Sequence, residues 1–201
     1  MEQNKGIGEL FDEAETFRLT GKLIDAIAVY RQILIRIPNA PMVLRRLAEC
    51  LIEKGVPQEA ISSLEDAIRL DPEEPSQYHT LAGALRGRGR MDDALLIYRR
   101  AVDRSPDNIT YLVDLAWCMA DIGAMGKDRA IQEKALEILI KAQGINDRDS
   151  GIWDALAGIY KDLGDREKAL ECLRKALEID PYDTDRIEIF ERLSARKSTN
   201  I

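Results

Sequence analysis

The residues most able to do chemistry are one histidine, His79, and three cysteines, Cys50, Cys118 and Cys172. Zinc sites and disulfide frameworks use cysteines and histidines at short, paired spacings, and these cysteines are far apart with no CxxC pair. We therefore expect no metal ligands and no cofactor. The cysteines are expected to be small buried side chains in a reducing compartment.

Paired carboxylates are the next candidates for chemistry, and the pairs here are Glu73 with Glu74 and Asp92 with Asp93. Both pairs fall at predicted turns, where capping of a helix N-terminus explains them better than acid–base catalysis. The one histidine, His79, is expected on an exposed helical stripe, where no His–Cys or Ser–His–Asp arrangement can form. No catalytic residue is predicted, and the chain is not expected to be an enzyme.

Composition and charge narrow the class of protein further. The chain has 201 residues, 45% of them apolar and 32% charged, with a net charge of −7, which describes a globular protein that repels polyanions. Nucleic acid is therefore not an expected partner. No window approaches ~18 uninterrupted apolar residues, so no membrane span is predicted. The start, MEQNKGIGEL, lacks the layout of a signal peptide, and we expect a cytoplasmic location.

The sequence repeats itself with a period of about 34 residues. Three kinds of residue keep this step: the alanines Ala26, Ala60 and Ala94; the glycines Gly21, Gly55, Gly89 and Gly123; and the prolines Pro38, Pro72 and Pro106. Each period contains two stretches with apolar residues at helical spacing, a glycine between them and a proline after them. The pattern predicts an all-α chain of helix pairs whose stacking builds one continuous core.

One period resembles the tetratricopeptide repeat in particular. The stretch WDALAGIYKDLGDREKALECLRKALEIDP carries that family's motif at Trp153, Leu156, Ala157, Tyr160, Gly164, Ala169, Ala176 and Pro181. The resemblance implies a right-handed α-solenoid of stacked antiparallel helix pairs that binds proteins. The expected organisation is a disordered start at 1–6, five units at 7–40, 41–74, 75–108, 109–149 and 150–183, a capping helix at 184–196 and a tail at 197–201.

Two stretches depart from a plain repeat. The fourth unit carries seven extra residues after Gly123, which predict either a longer second helix that protrudes from the turn side or a longer loop at Ala124 to Lys127. The capping segment TDRIEIFERLSARK predicts an amphipathic helix with Ile187, Phe190 and Leu193 inward and Arg186 among its outward residues.

The alternating stretch RGRGR, from Arg86 to Arg90, has three interpretations: an RNA-binding tail, a phosphate loop or a turn. The repeat register places Gly89 between two helices, and neither a Walker ending nor stacking aromatics accompany the arginines. The stretch is therefore predicted to be a turn that leaves the third unit locally basic.

A candidate binding surface follows from the first helix of each unit. Beside the packing stripe runs a second stripe, which stacking would align into an inner, concave groove. The candidate partner-binding residues on it are Arg45, Glu49, His79, Arg86, Val113, Trp117 and Asp154. Arginine and tryptophan dominate interface energetics, and Gly83 and Gly158 are expected to leave hollows beside them. The alternative is that Trp117 only packs against its neighbours.

The groove residues and the repeats together predict a non-catalytic scaffold or adaptor that binds a partner segment carrying acidic and apolar residues. The asparagines that a chaperone-tail carboxylate clamp requires are missing in every register, so that ligand is disfavoured. Two alternatives stay open: a scaffold that assembles with itself as a homo-oligomer, and a recognition module of a larger multidomain protein.

Overall fold

The structure, a computed structural model, describes residues 5–195. The predicted tail at 197–201, the last residue of the predicted capping helix and most of the predicted disordered start lie outside the described residues. Within them, the chain forms eleven α-helices and no strand. The helices are α1 (Ile7–Leu19), α2 (Leu23–Arg36), α3 (Pro41–Glu53), α4 (Pro57–Leu70), α5 (Pro75–Gly87), α6 (Met91–Arg104), α7 (Ile109–Gly126), α8 (Arg129–Ile145), α9 (Ser150–Asp162), α10 (Arg166–Ile179) and α11 (Thr184–Ala195).

The chain divides into two compact units, one up to Arg104 with α1 to α6 and one from Ser105 with α7 to α11. In both units the closest partners are consecutive helices joined by a short turn, such as α3 with α4 and α9 with α10. A short turn forces the two helices of a pair to run antiparallel. Each predicted repeat holds one such pair.

Small residues let the helices of a pair approach each other closely. Ala48 on α3 and Ala60 on α4 are completely buried, and Ala82 on α5 and Ala94 on α6 are buried in the same way. Larger apolar side chains such as Leu64 fill the space between neighbouring pairs at the density of a protein interior. The repeating alanines of the sequence thus mark repeating close contacts between helices.

Most turns between paired helices contain a residue with positive φ. Glycine occupies this position in four of the described turns, at Gly21, Gly55, Gly89 and Gly164, with φ between 72° and 80°. The fifth is Lys127, at φ 53°. Glycine adopts this conformation without the steric cost that a Cβ brings, which explains its recurrence. The RGRGR stretch is, as predicted, a turn between α5 and α6.

The seven extra residues of the fourth repeat lengthen both of its helices. α7 has 18 residues where the other first helices have 13, and α8 has 17 where the other second helices have 14. The predicted loop at Ala124 to Lys127 is therefore wrong, and the prediction of a longer second helix alone is incomplete. Gly123 lies inside α7 and not in the turn. Glycine at this position lets α7 and α8 pack closely, because a Cβ there would stand 2.7 Å from Gln132 Cγ on α8.

Helix α7 is long and apolar enough to cross a membrane by length and composition, although no membrane span was expected from its sequence. Its apolar side chains are used within the second unit, where Leu112, Leu115 and Met119 are buried and the helix packs on α8 and α9.

The last helix, α11, packs on α10 and closes the second unit. Arg186 was predicted to point outward from the capping helix, but its side chain points inward and is only 6% exposed. Its guanidinium donates to both oxygens of Asp154 on α9, at 2.8 Å each, and to the carbonyl of Asp180 at 3.2 Å. Paired and hydrogen-bonded in this way, an arginine can be buried without an uncompensated charge.

Candidate functional site

All seven predicted groove residues lie on first helices and are half-buried. Arg45 and Glu49 on α3 and His79 and Arg86 on α5 belong to the first unit. The other three, Val113 and Trp117 on α7 and Asp154 on α9, belong to the second unit.

In the first unit, Arg45 is part of a network of charges on α1 and α3. Arg45 and Arg46 both donate to the carboxylate of Glu49, the second at 2.9 Å. Arg46 also lies 3.4 Å from Glu15, which accepts a hydrogen bond from Arg18 at 2.7 Å. The three guanidinium groups outnumber the two carboxylates, so the network keeps one excess positive charge on a chain that is acidic as a whole.

The buried end of this network fixes the ionisation of Glu15. Burial by itself would raise the pKa of Glu15, but hydrogen bonds from Arg18 and Tyr30 and the charge of Arg46 outweigh it, so the pKa lies below its usual value of 4.5. Burial and the bond that Tyr30 donates to Glu15 raise the pKa of the Tyr30 phenol. The carboxylate is therefore ionised and held in place at neutral pH.

On α5, His79 lies against an aromatic ring of the next helix. The ring centroids of His79 and Tyr98 are 5.9 Å apart. A Cβ added at Gly83 would make only an ordinary contact, 3.7 Å from the Tyr98 hydroxyl oxygen, so close packing does not require glycine at this position.

In the second unit, Trp117 uses the space that Gly158 leaves. A Cβ at Gly158 would stand 2.4 Å from Trp117 Cη2 and 2.9 Å from Cζ3, which no side chain can accept. The indole ring therefore takes part of the hollow predicted beside Gly158, and Gly158 also lines the space that remains. Trp117 nevertheless stays half-buried, because only one part of the ring is covered.

A hollow of about 250 Å³ opens beside the Trp117 ring. Its apolar walls are the Trp117 ring on α7, Ala157 and Gly158 on α9, Leu173 on α10 and Ile189 and Leu193 on α11. Charged residues also line it: Asp154, Lys161, Asp183, Asp185 and Arg186. An apolar cavity of ~150 Å³ is enough to bind benzene, so this hollow can hold one large apolar side chain. It is smaller than the ~300–1,000 Å³ of a pocket for a drug-sized ligand.

Asp154, one of the predicted binding residues, is engaged inside the chain. It receives both hydrogen bonds from Arg186, and Asp183 lies 3.2 Å from the same guanidinium. The hydrogen bonds to Asp154 raise the pKa of Arg186 above its usual value against the opposing effect of burial. Asp154 thus anchors α11 and forms one wall of the hollow.

The described residues offer little for catalysis or metal binding. Between residues 5 and 195, no three histidine, cysteine, aspartate or glutamate side chains are grouped as metal ligands. Burial raises the pKa of the Cys50 and Cys172 thiols to about 11, which keeps both in the unreactive protonated form.

Sequence reasoning missed the contributions of Arg46, Arg186 and Ile189. The repeat period indicates the burial of Arg186, because Arg186 lies one period after Ile152, which is completely buried. Reading α11 as the first helix of a sixth repeat would have placed Arg186 inward. No comparable pattern marks Arg46 or Ile189.

Two sequence profiles described as tetratricopeptide repeat match the chain, over residues 72–187 and 18–85. The first covers more than half of the chain, and the protein belongs to the tetratricopeptide repeat family. Among curated proteins, the cytochrome c-type biogenesis protein CycH of Rhizobium meliloti (strain 1021) is 29% identical over 107 residues, which are 52% of this chain and 28% of CycH. The chain thus spans well under two thirds of that relative's length.

Solved structures share the fold over most of the chain. MamA is 23% identical to this chain with a TM-score of 0.71, and the match covers 86% of this chain and 96% of the MamA chain. TTC0263, a thermophilic TPR protein in Thermus thermophilus, is 21% identical with a TM-score of 0.75. The match covers 94% of this chain and 100% of the TTC0263 chain. YrrB, described as a TPR protein with an unusual peptide-binding site, is 20% identical with a TM-score of 0.68, covering 94% of each chain. At these identities the likeness shows the α-solenoid fold.

Proposed function

We propose that this protein is a non-catalytic scaffold that binds segments of a partner protein on the inner stripes of its first helices. The observation that carries the proposal is the hollow beside Trp117, which has apolar walls, room for one side chain and no side chain of the described residues inside it. Open apolar hollows with charged rims are typical of peptide-binding surfaces. The peptide-binding site described for YrrB, which shares the fold, agrees with this role.

The inner stripe of the first unit supports the same function with different chemistry. Arg18, Arg45 and Arg46 surround two carboxylates and keep an excess positive charge. Such a stripe favours a partner segment with acidic residues, because arginine offers forked donors that match a carboxylate.

The test is capture of a partner from native lysate by the full chain and by two variants, one for each unit. Trp117→Ala removes the apolar wall in the second unit, and Arg45→Glu reverses the charge in the first. Circular dichroism verifies that both variants are folded. A partner that the parent holds and that either folded variant loses supports the proposal, and equal capture by all three chains contradicts it.

Self-assembly is a second candidate, because several large apolar side chains of α1 and α2 are uncovered. Leu19 is 74% exposed, Ile24 68% and Ile35 82%. Light scattering over a range of concentrations tests this candidate, since a homo-oligomer would show a mass above that of one chain. As part of the same proposal we place the protein in a reducing, cytoplasmic compartment, where its three free cysteines would stay reduced.

A further inference from the structure

A second hollow in the second unit adjoins the one beside Trp117. It measures about 310 Å³ and is lined by Lys161 near the end of α9, Gly164 in the following turn, Arg166 at the start of α10, and Arg192 and Leu193 on α11. Lys161 and Leu193 line both hollows. The two spaces are therefore neighbours, one with apolar walls and one with three cationic side chains.

One of the three cations is already in use within the chain. Arg166 donates to the carbonyl of Leu193 at 2.7 Å and to that of Ser194 at 2.7 Å, which satisfies carbonyl groups at the C-terminal end of α11. Its role is to hold that end of the helix in place.

The other two cations are available to a ligand. The ion pair of Lys161 with Asp162 is loose, at 3.8 Å, and the Lys161 side chain is 53% exposed. Arg192 is exposed as well. Both side chains can turn toward an anion at little cost, because neither has a close charged partner among residues 5–195.

The acidic side chains of the apolar hollow lie on its other side. Asp154 and Asp183 are bound to Arg186, which neutralises much of their charge. Asp185 stands in the first turn of α11, whereas Arg192 stands in its last turn, seven residues or ~10 Å along the helix. The acidic residues of the apolar hollow therefore lie toward the start of α11, and the cationic hollow lies toward its end, so the two hollows together give a bound segment one direction.

We propose that the second unit binds a partner segment in which a large apolar side chain, aromatic by preference, is followed directly by carboxylates. The apolar side chain enters the hollow beside Trp117, and the carboxylates meet Lys161 and Arg192. The hollow is large enough for a phenyl ring. This proposal rests on the scaffold function proposed above. It adds to that function the chemistry of the partner segment at one site.

The experiment uses the full chain labelled with 5-fluorotryptophan and followed by fluorine NMR. The chain has two tryptophans, and Trp153 serves as the internal control because its indole N–H donates to the carbonyl of Asp147, away from the hollow. The probes are three synthetic peptides: Gly-Ser-Phe-Glu-Glu-Ser-Gly, the same peptide with lysines in place of the glutamates, and the same peptide with alanine in place of phenylalanine.

The expected result is that the Phe-Glu-Glu peptide shifts the Trp117 resonance and leaves that of Trp153 unchanged, whereas the alanine peptide shifts neither. The double variant Lys161→Glu/Arg192→Glu should weaken binding of the Phe-Glu-Glu peptide about fivefold or more and favour the lysine peptide. The charge-matched control Lys134→Glu/Lys175→Glu, on exposed faces of α8 and α10, should bind like the parent.

Three results would overturn the proposal: no shift of Trp117 up to millimolar Phe-Glu-Glu peptide, equal binding of the glutamate and lysine peptides, or equal binding by the parent and the Lys161→Glu/Arg192→Glu variant. None of them contradicts the scaffold function, which depends on partner capture from lysate. If neither inner-stripe variant lost the captured partner, the scaffold function would be contradicted whatever the peptides showed.

Discussion

Replacing Gly158 with alanine tests whether Trp117 has the position that the binding site requires. The added Cβ would lie 2.4 Å from Trp117 Cη2, 2.9 Å from Cζ3 and 3.4 Å from Cζ2, so the indole ring must move. Overpacking of this kind costs about 1–3 kcal/mol, against a gain of about 0.5–1 kcal/mol from replacing a helical glycine with alanine. We expect a net loss of stability of up to about 2.5 kcal/mol.

Gly83→Ala is the matched control, because Gly83 stands one repeat period before Trp117 on the same stripe of a first helix. Its added Cβ would meet only the Tyr98 hydroxyl, at 3.7 Å, so the substitution should stabilise the chain by about 0.5–1 kcal/mol. Urea unfolding followed by circular dichroism measures both changes. In a Trp117→Ala background, Gly158→Ala should also stabilise, since the clash is gone.

The displaced ring gives a second readout of the same prediction. With Trp153 replaced by phenylalanine, Trp117 is the sole tryptophan, and Gly158→Ala should change the wavelength of its emission maximum. A Gly158→Ala variant that is stabilised as much as Gly83→Ala, with unchanged Trp117 emission, would refute the packing described here.

Three further predictions concern the turns, the charged network and the thiols. Lys127→Gly should stabilise the chain by about 0.5–1 kcal/mol in urea unfolding, because glycine adopts the positive φ of this position without strain. Gly55→Ala should destabilise the chain by about 1 kcal/mol for the same reason, although no atom lies within 4 Å of the new Cβ. Changes of the opposite sign would contradict this explanation of the turns. The pKa of Glu15 is lowered in the folded chain, so the carboxylate contributes stability above pH 4.5, and this contribution is lost as the pH falls below that value. The difference in urea midpoint between the parent and Glu15→Gln should therefore shrink from pH 6 to pH 3.5. A constant difference would argue against an ionised, paired Glu15. Peptide mass spectrometry should find Cys50 and Cys172 unmodified by iodoacetamide at pH 8 in the folded chain and modified in guanidinium, and rapid labelling of the folded chain would be inconsistent with their burial.

The sequence predicted the fold well because the fold is local and periodic. Alanines one period apart, glycines in the turns and prolines after the second helices each act within one helix pair. The fourth repeat is where this reasoning failed, because Gly123 was assigned to the turn by its period. The contact between Gly123 and Gln132 that keeps Gly123 inside α7 joins two helices and has no signal in either helix alone.

The candidate site was predicted in part, for a related physical reason. The stripe position of Trp117 and Arg45 follows from helical spacing, and both are half-buried as a groove residue would be. Which side chain fills which space depends on contacts between helices, as when the Trp117 ring takes the volume at Gly158. The partners of Asp154 were not predictable from its own helix, because Arg186 lies on α11.

The central claim is that partner segments bind on the inner stripes of the first helices. Site-specific photo-crosslinking tests it most directly, with p-benzoylphenylalanine placed at Val113 on the inner stripe of α7 and, as the control, at the exposed Glu171 on α10. The account predicts that a captured partner crosslinks from Val113 and not from Glu171, and that Trp117→Ala abolishes the crosslink. A partner that crosslinks from Glu171 alone would contradict the claim.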